Sequence, residues 1–268
     1  MNSSTQWPAW LEHALEAARL AVTCLRHHAR QRHRLVVEQK GLNEFVSQAD
    51  HDAERHIVQH LRQHCPQHGI LAEESGRHDG EQGRWVIDPL DGTTNFLHGV
   101  PQYAVSIALE INDRPVLAVV ADVERQEYFT AIRGQGAWLN GQQLQVSPQK
   151  RLEGALLGTG TPYRDASIVD RYAEWMKALI RANTAGIRRP GAAALDLAWL
   201  AAGRFDAFFE YGLARWDAAA GILLIEEAGG QVTGFDGNPP RFPPGDLIAS
   251  NGHLQTAMLE LAQPFARE

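Results

Sequence analysis

The chain has 268 residues, 44% apolar and 21% charged, with 24 Gly, 13 Pro and a formal net charge of −7. These figures exclude collagen-like, low-complexity and disordered classes and fit one large domain or two of roughly 100–150 residues each. Mild acidity argues against a dedicated nucleic-acid binder, no apolar run approaches the ~18 residues of a membrane span, and the polar start Met1-Asn2-Ser3-Ser4 has neither a basic region nor an apolar core, so no signal peptide and a cytoplasmic location are expected.

In chain order, Leu11, Ala14, Ala18, Val22 and Leu25 recur at three and four residues and predict an amphipathic helix over 10–29. A second helix is predicted over 49–64, with Ala53, Ile57 and Leu61 on one face and Pro66 and Gly69 ending it. Strands are predicted at 70–72, 85–87, 105–109, 116–120 and 128–132, and Asn140-Gly141 reads as a hairpin turn. Beyond Val146 strand and helix alternate, with strands at 156–157 and 207–209 and helices at 167–181, 192–202 and 217–228, the last closed by Gly229-Gly230. The change of pattern places a soft boundary near 146–153 and divides the chain into halves at 1–148 and 149–268. Cys24 and Cys65 are too few for a disulfide framework and are expected to be reduced.

The most informative segment is Trp85-Val86-Ile87-Asp88-Pro89-Leu90-Asp91-Gly92-Thr93-Thr94-Asn95-Phe96. A strand delivers Asp88 to its end, Pro89 forces the chain to turn, and Asp91 returns beside Asp88. Gly92 permits a close approach, and the Thr93 and Thr94 amides could receive an anion. Carboxylates, a carbonyl and hydroxyls suit Mg²⁺, whereas Zn²⁺ would favour His and Cys. The bland alternative is a turn with Asp caps, since Asp, Pro and Gly are common turn residues. Three further acids bear on the choice: Asp50 and Asp217 each at a helix start, where either could serve as a cap, and Glu73 after a strand, where it could be a solvated loop acid.

Together, Glu-Glu-Ser at 73–75, Asp-Pro-Leu-Asp-Gly-Thr-Thr-Asn-Phe at 88–96 and Trp-Asp-Ala-Ala-Ala-Gly with Glu-Ala-Gly-Gly at 216–230 resemble the inositol monophosphatase family in order and spacing over nearly the whole chain. The segments at 158–162, 188–196 and 209–213 look most like its bacterial SuhB-type branch. The resemblance implies a layered αβαβα sandwich, usually a homodimer, and a Mg²⁺-dependent, typically Li⁺-inhibited phosphomonoesterase. It implies that Glu73, Asp88 and the Leu90 carbonyl hold one Mg²⁺, that Asp88, Asp91 and Asp217 hold a second, and that a third, weaker ion also uses Glu73. It further implies that Glu73 and the Thr93 hydroxyl, oriented by Asp50, position and deprotonate the attacking water. The phosphate would rest on the Gly92 and Thr93 amides, with Asp91 beside it, and a polyol would meet the backbone near Gly191 and Ala193 and the carboxylate of Glu210. Inositol 1-phosphate or a similar small polyol phosphate is the expected substrate, with histidinol phosphate, fructose bisphosphate and nucleotide 3′-phosphates as alternatives. A different class of function is also implied, because SuhB-type relatives take part in transcription complexes with RNA polymerase. Lys40 lies near the position of a family lysine, but the segment after it differs in length from animal enzymes.

Other signals are weaker. His56, His60 and His64 repeat at i, i+4 and could hold Zn²⁺ from one helix face, but no His-Glu-x-x-His accompanies them, and a solvated or partner-facing stripe is preferred. Residues 19–34 hold five Arg, three His and no acid, read as a solvated face. Gly158-Thr159-Gly160 lacks the third Gly of a dinucleotide fingerprint, and neither a Walker lysine motif nor a Gly-x-Ser-x-Gly elbow is present.

Overall fold

The computed structural model describes residues 3–41, 44–162, 165–243 and 245–266. Its elements begin with helix α1 (Trp7–Ala29), strands β1 (Val37–Gly41) and β2 (Glu44–Ser47), helix α2 (Gln48–His64), and strands β3 (Gly69–Ala72), β4 (Gly76–His78) and β5 (Arg84–Asp91). A short helix, α3 (Thr93–His98), leads to β6 (Ala104–Ile111), β7 (Arg114–Asp122), β8 (Glu127–Ile132), β9 (Ala137–Leu139) and β10 (Gln142–Gln143). Then follow β11 (Leu156–Thr159), α4 (Val169–Arg181), β12 (Gly186–Arg188), α5 (Ala193–Ala201), β13 (Ala207–Glu210), α6 (Arg215–Glu227), β14 (Gln231–Thr233), β15 (Leu247–Ser250) and α7 (Gln255–Ala262).

Two large sheets organise these elements. One has eight strands in the order β10-β9-β8-β7-β6-β5-β3-β4, and the other has five in the order β12-β11-β13-β15-β14. Side chains alternate across a strand, and β6 uses that alternation to serve two cores. Val105, Ile107 and Leu109 face α1 and α2, whereas Ala104 and Ala108 face α5 and α6. Helices α1 and α2 show the expected apolar stripes. By contrast, α5 is buried along nearly its whole length, because it lies with α6 between the two sheets. Small residues set the spacing in that middle layer: a Cβ on Gly221 of α6 would stand 2.5 Å from the Leu197 Cβ of α5. On the outer face of the five-stranded sheet, α4 and α7 enclose a third core around Trp175, Phe209 and Met258. The layers therefore run α1/α2, eight-stranded sheet, α5/α6, five-stranded sheet, α4/α7, an αβαβα sandwich.

Residues 144–155 carry the chain from the larger sheet to the smaller, and the middle core draws side chains from both. Polar contacts reinforce this layer. Buried Glu110 on β6 binds Arg84 of β5 at 2.8 Å and also pairs with Arg215 at the start of α6. Ser106 Oγ donates to the Trp216 carbonyl at 3.2 Å. Both cysteines are free thiols. The Arg-rich face is not wholly solvated: Arg32 donates to the Tyr103 hydroxyl at 3.2 Å and lies over the Phe96 ring. The side chain of Lys40 lies outside the described residues. No helix among those described is long and apolar enough to cross a membrane.

Candidate active site

Asp88 sits near the C-terminal end of β5, where the pairing with β6 loses register: Asp88 lies opposite Ser106, but Asp91 lies opposite Ala104. Three steps along β5 thus match two along β6. This bulge, produced at Pro89-Leu90, re-aims the strand end. Asp88 Oδ1 accepts the Leu90 N–H at 3.0 Å, and the side chain is buried. Strand β3 runs parallel to β5 with Ala72 opposite Ile87, and the Glu73 N–H donates to the Ile87 carbonyl at 3.2 Å. Glu73 and Asp88 therefore leave the sheet from adjacent strand ends.

Burial pushes the Asp88 carboxyl well above the usual carboxylate range, and the negative charges of Glu73, Asp91 and Asp217 push it further the same way. Asp91 stands at the end of β5, and its Oδ2 accepts the Ala194 N–H in the first turn of α5 at 2.7 Å. Asp217 stands in the first turn of α6, and its Oδ2 accepts the Ala214 N–H at 2.7 Å. Four carboxylates, from just after β3, from the end of β5 and from the start of α6, meet here, three of them pressing on a buried fourth.

Asp50 occupies the first turn of α2, where its Oδ2 accepts the Ser47 N–H at 2.8 Å and the Ser47 hydroxyl at 2.7 Å. Its Oδ1 accepts the Thr93 hydroxyl at 3.0 Å. One carboxylate thus closes the helix start and fixes Thr93, so capping and site positioning are not exclusive readings of this residue. The same hydroxyl lies 3.1 Å from the Leu90 carbonyl, placing Thr93 over the turn between Asp88 and Asp91. Burial raises the Asp50 pKa, and the hydrogen bonds from Ser47 and Thr93 oppose that shift.

A cavity of about 590 Å³ brings together Glu73, Asp88, Leu90, Asp91, Gly92, Thr93, Gly191, Ala193, Glu210 and Asp217. Asp50 is 1% exposed and reaches the cavity through Thr93. Gly92 has φ of +93°, and a Cβ there would stand 3.0 Å from the Gln102 carbonyl oxygen and 3.1 Å from that of Gly191. Its backbone conformation and the close approach both require glycine. Asn95 Nδ2 donates to the Gln102 carbonyl at 2.8 Å and to the Pro190 carbonyl at 2.9 Å, tying α3 to the loop that carries Gly191.

Several residues of this site escape sequence reasoning. Glu54, one turn after Asp50 on α2, is 4% exposed and accepts the N–H groups of Glu74 and Ser75, each at 2.8 Å. It holds the chain immediately after Glu73. An acid beside Ala53 and Ile57 on the buried stripe is the signal that marks it. Asp196 also lines the cavity; its Oδ1 is buried without a hydrogen-bond partner, and burial together with the charges of Glu210 and Asp91 raises its pKa well above the usual range. One charge inside an otherwise apolar helix is its signal. A Cβ on Gly160 would overlap the Glu210 carboxylate, so glycine at this point of the β11 loop makes room for Glu210.

A family model described as "Inositol monophosphatase family" matches residues 7–265. The chain belongs to the inositol monophosphatase family. It is 49% identical over 257 residues to a protein of Pseudomonas aeruginosa named Nus factor SuhB, covering 94% of each chain. It is 46% identical over 231 residues to the inositol-1-monophosphatase of Rhizobium meliloti, covering 85% of this chain and 86% of that one. Among solved structures, the extragenic suppressor protein suhB of Bartonella henselae superposes with a TM-score of 0.91 at 42% identity, covering 94% of this chain and 98% of that one. The αβαβα layering is the fold of the family, and family membership supports phosphatase activity.

Proposed function

We propose that the protein is a Mg²⁺-dependent phosphomonoesterase that hydrolyses inositol 1-phosphate, or a similar small polyol phosphate, by attack of water. The observation that carries this reading is buried Asp88 among Glu73, Asp91 and Asp217. Such a cluster is unfavourable without a cation, and an all-oxygen donor set that includes the Leu90 carbonyl suits Mg²⁺. Glu73, Asp88 and Leu90 would hold one ion, Asp88, Asp91 and Asp217 a second, and Glu73 would share a third. When bound there, Mg²⁺ supplies a more acidic water and stabilises charge on the phosphate and on the leaving alkoxide.

The remaining work falls to the chain. With its hydrogen directed to Asp50 Oδ1, the Thr93 hydroxyl presents lone pairs that orient an attacking water, and Glu73 is the second acceptor for that water's protons. The Gly92 and Thr93 amides receive phosphate oxygens. Across the cavity, Glu210 accepts hydrogen bonds from substrate hydroxyls, beside the backbone at Gly191 and Ala193. A carboxylate acceptor at the distal end suits a polyhydroxylated leaving group.

Phosphate release from inositol 1-phosphate, histidinol phosphate, fructose 1,6-bisphosphate and adenosine 3′,5′-bisphosphate, with and without Mg²⁺, tests this function. Turnover of the inositol ester only with Mg²⁺ is expected; no release from any member of the panel overturns the reading.

A second reading is favoured by the names of the relatives: proteins called Nus factor SuhB match at 45–49% identity over at least 92% of this chain. By that reading the protein is a homodimer that joins a transcription complex with RNA polymerase, and the carboxylate site is dispensable for the role. Capture of RNA polymerase from lysate by Asp88→Asn protein as well as by the parent supports it, and capture by neither removes it.

A further inference from the structure

Outside the carboxylate cavity, the face where α1 packs against the C-terminal half of α2 gathers three imidazoles. His13 comes from α1, and His60 and His64 come from successive turns of α2. A ligating atom from each ring lies within 4.8 Å of one from each of the other two. The His13 and His64 rings are 4.5 Å apart and nearly parallel, and the His60 and His64 rings are likewise 4.5 Å apart. His60 Nε2 is enclosed and has no hydrogen-bond partner. Such an enclosed ring nitrogen is costly to leave unsatisfied, and two neighbouring imidazoles of the same character do not relieve it without a shared proton or a cation.

The helix stripe at His56, His60 and His64 thus divides in space. An i, i+4 pair supplies two ligands from one face, and the third imidazole comes from the packed helix and not from His56, which stays outside the group. We propose that His13, His60 and His64 form a binding site for a borderline divalent transition-metal ion, Zn²⁺, with water completing a tetrahedral set. Neutral imidazole favours Zn²⁺ over Mg²⁺, which seeks oxygen. Tetrahedral Zn–N bonds of about 2.0–2.1 Å require nitrogens about 3.4 Å apart, so atoms now within 4.8 Å of one another would draw together on binding the ion. Glu12 and Glu16, on the same helix as His13, add negative potential at its edge. The site is separate from the carboxylates, since His60 lies ten residues along α2 from Asp50, roughly 15 Å along the axis.

The test uses full-length protein without a histidine tag, freed of metal and returned to millimolar Mg²⁺ so that oxygen-rich sites are filled. Zn²⁺ titration by calorimetry, and Co²⁺ titration followed in the visible region, should show one equivalent per chain with micromolar or tighter affinity and an intense tetrahedral Co²⁺ spectrum. His64→Gln and His13→Gln should each weaken binding by about tenfold or more and erase that spectrum, while His56→Gln leaves both unchanged. His64 is exposed, so its variant should retain the circular dichroism and phosphatase rate of the parent. Unaltered Zn²⁺ affinity in His64→Gln and His13→Gln, or no Zn²⁺ binding in the presence of Mg²⁺, overturns the proposal.

Discussion

The Asp91 carboxylate accepts the Ala194 N–H at 2.7 Å, a bond that joins positions 103 residues apart and ends β5 against the first turn of α5. One side chain therefore faces the site and anchors the helix preceded by Gly191. Asp91→Asn keeps an oxygen acceptor for Ala194 but removes the charge. It should lose nearly all Mg²⁺-dependent phosphate release while the thermal midpoint falls little. Asp91→Ala removes both and should cost a further ~1 kcal/mol in denaturant unfolding. Equal stability of the two variants would show that the Ala194 bond contributes nothing.

Asp88 has the opposite relation to stability. Because burial and three neighbouring charges raise its folded-state pKa, the folded protein binds a proton here more tightly than the unfolded chain does. In metal-free protein this stabilising contribution is complete below the ordinary carboxylate pKa of ~3.9 and is lost as pH rises through the raised folded value. Asp88→Asn should therefore melt higher than the parent at pH 7.5 in chelator, gain nothing from added Mg²⁺, and release phosphate only at background rate. A lower midpoint for Asp88→Asn in chelator would mean that the ionised carboxylate is favourable as it stands.

Thr93 links Asp50 to the turn that carries Asp88 and Asp91. Thr93→Val preserves shape but takes away the hydroxyl and leaves Asp50 Oδ1 without this donor. The rate should fall by roughly a hundredfold or more, with a stability loss of about 1–2 kcal/mol. Thr93→Ser restores the hydroxyl and should recover most of the rate. Steady-state kinetics on the pair separate the hydroxyl from the methyl group.

At Gly160 the added methyl of alanine would overlap the Glu210 carboxylate and drive it from its place. KM for a polyol phosphate should rise about five- to tenfold with kcat within about twofold, the signature of lost binding away from the reacting phosphorus. An aryl phosphate lacking hydroxyls should show no such rise. An equal KM increase for both esters would place the effect at the phosphate and not at the polyol.

The elements legible in the sequence are those whose pattern reflects local burial. Helix α1 and helix α2 carry apolar stripes, and β5 to β8 are strings of branched and aromatic residues between clear turns. The ribbon of β1 and β2 was not predicted, because its Glu38 and Gln39 give no burial pattern. Strands β12, β14 and β15 are three or four residues long and exist through pairing with distant partners, a long-range determinant that local reading does not see. The acids of the site were legible one by one through their motifs. Local pattern brings only Asp91 beside Asp88; that Glu73 and Asp217 join them is implied by the family resemblance alone, since it depends on β3 pairing with β5 and on α6 lying across β6. Glu54, Gly160 and Asp196 stay hidden because their roles are defined by neighbours 14 or more residues away in the chain.

Helix α2 holds Thr93 through Asp50 and the chain after Glu73 through Glu54, two carboxylates one turn apart on a single rigid rod. Both groups assigned to the attacking water are thereby gauged from one datum, although they lie on separate parts of the chain. The sheet grips the same two groups from its side, the Glu73 N–H on the Ile87 carbonyl and the Thr93 hydroxyl beside the Leu90 carbonyl of β5, so the gap between them is set by two elements at once. The helix works as a jig with the sheet as its fixture, and the width of the slot in which water must sit is clamped between them.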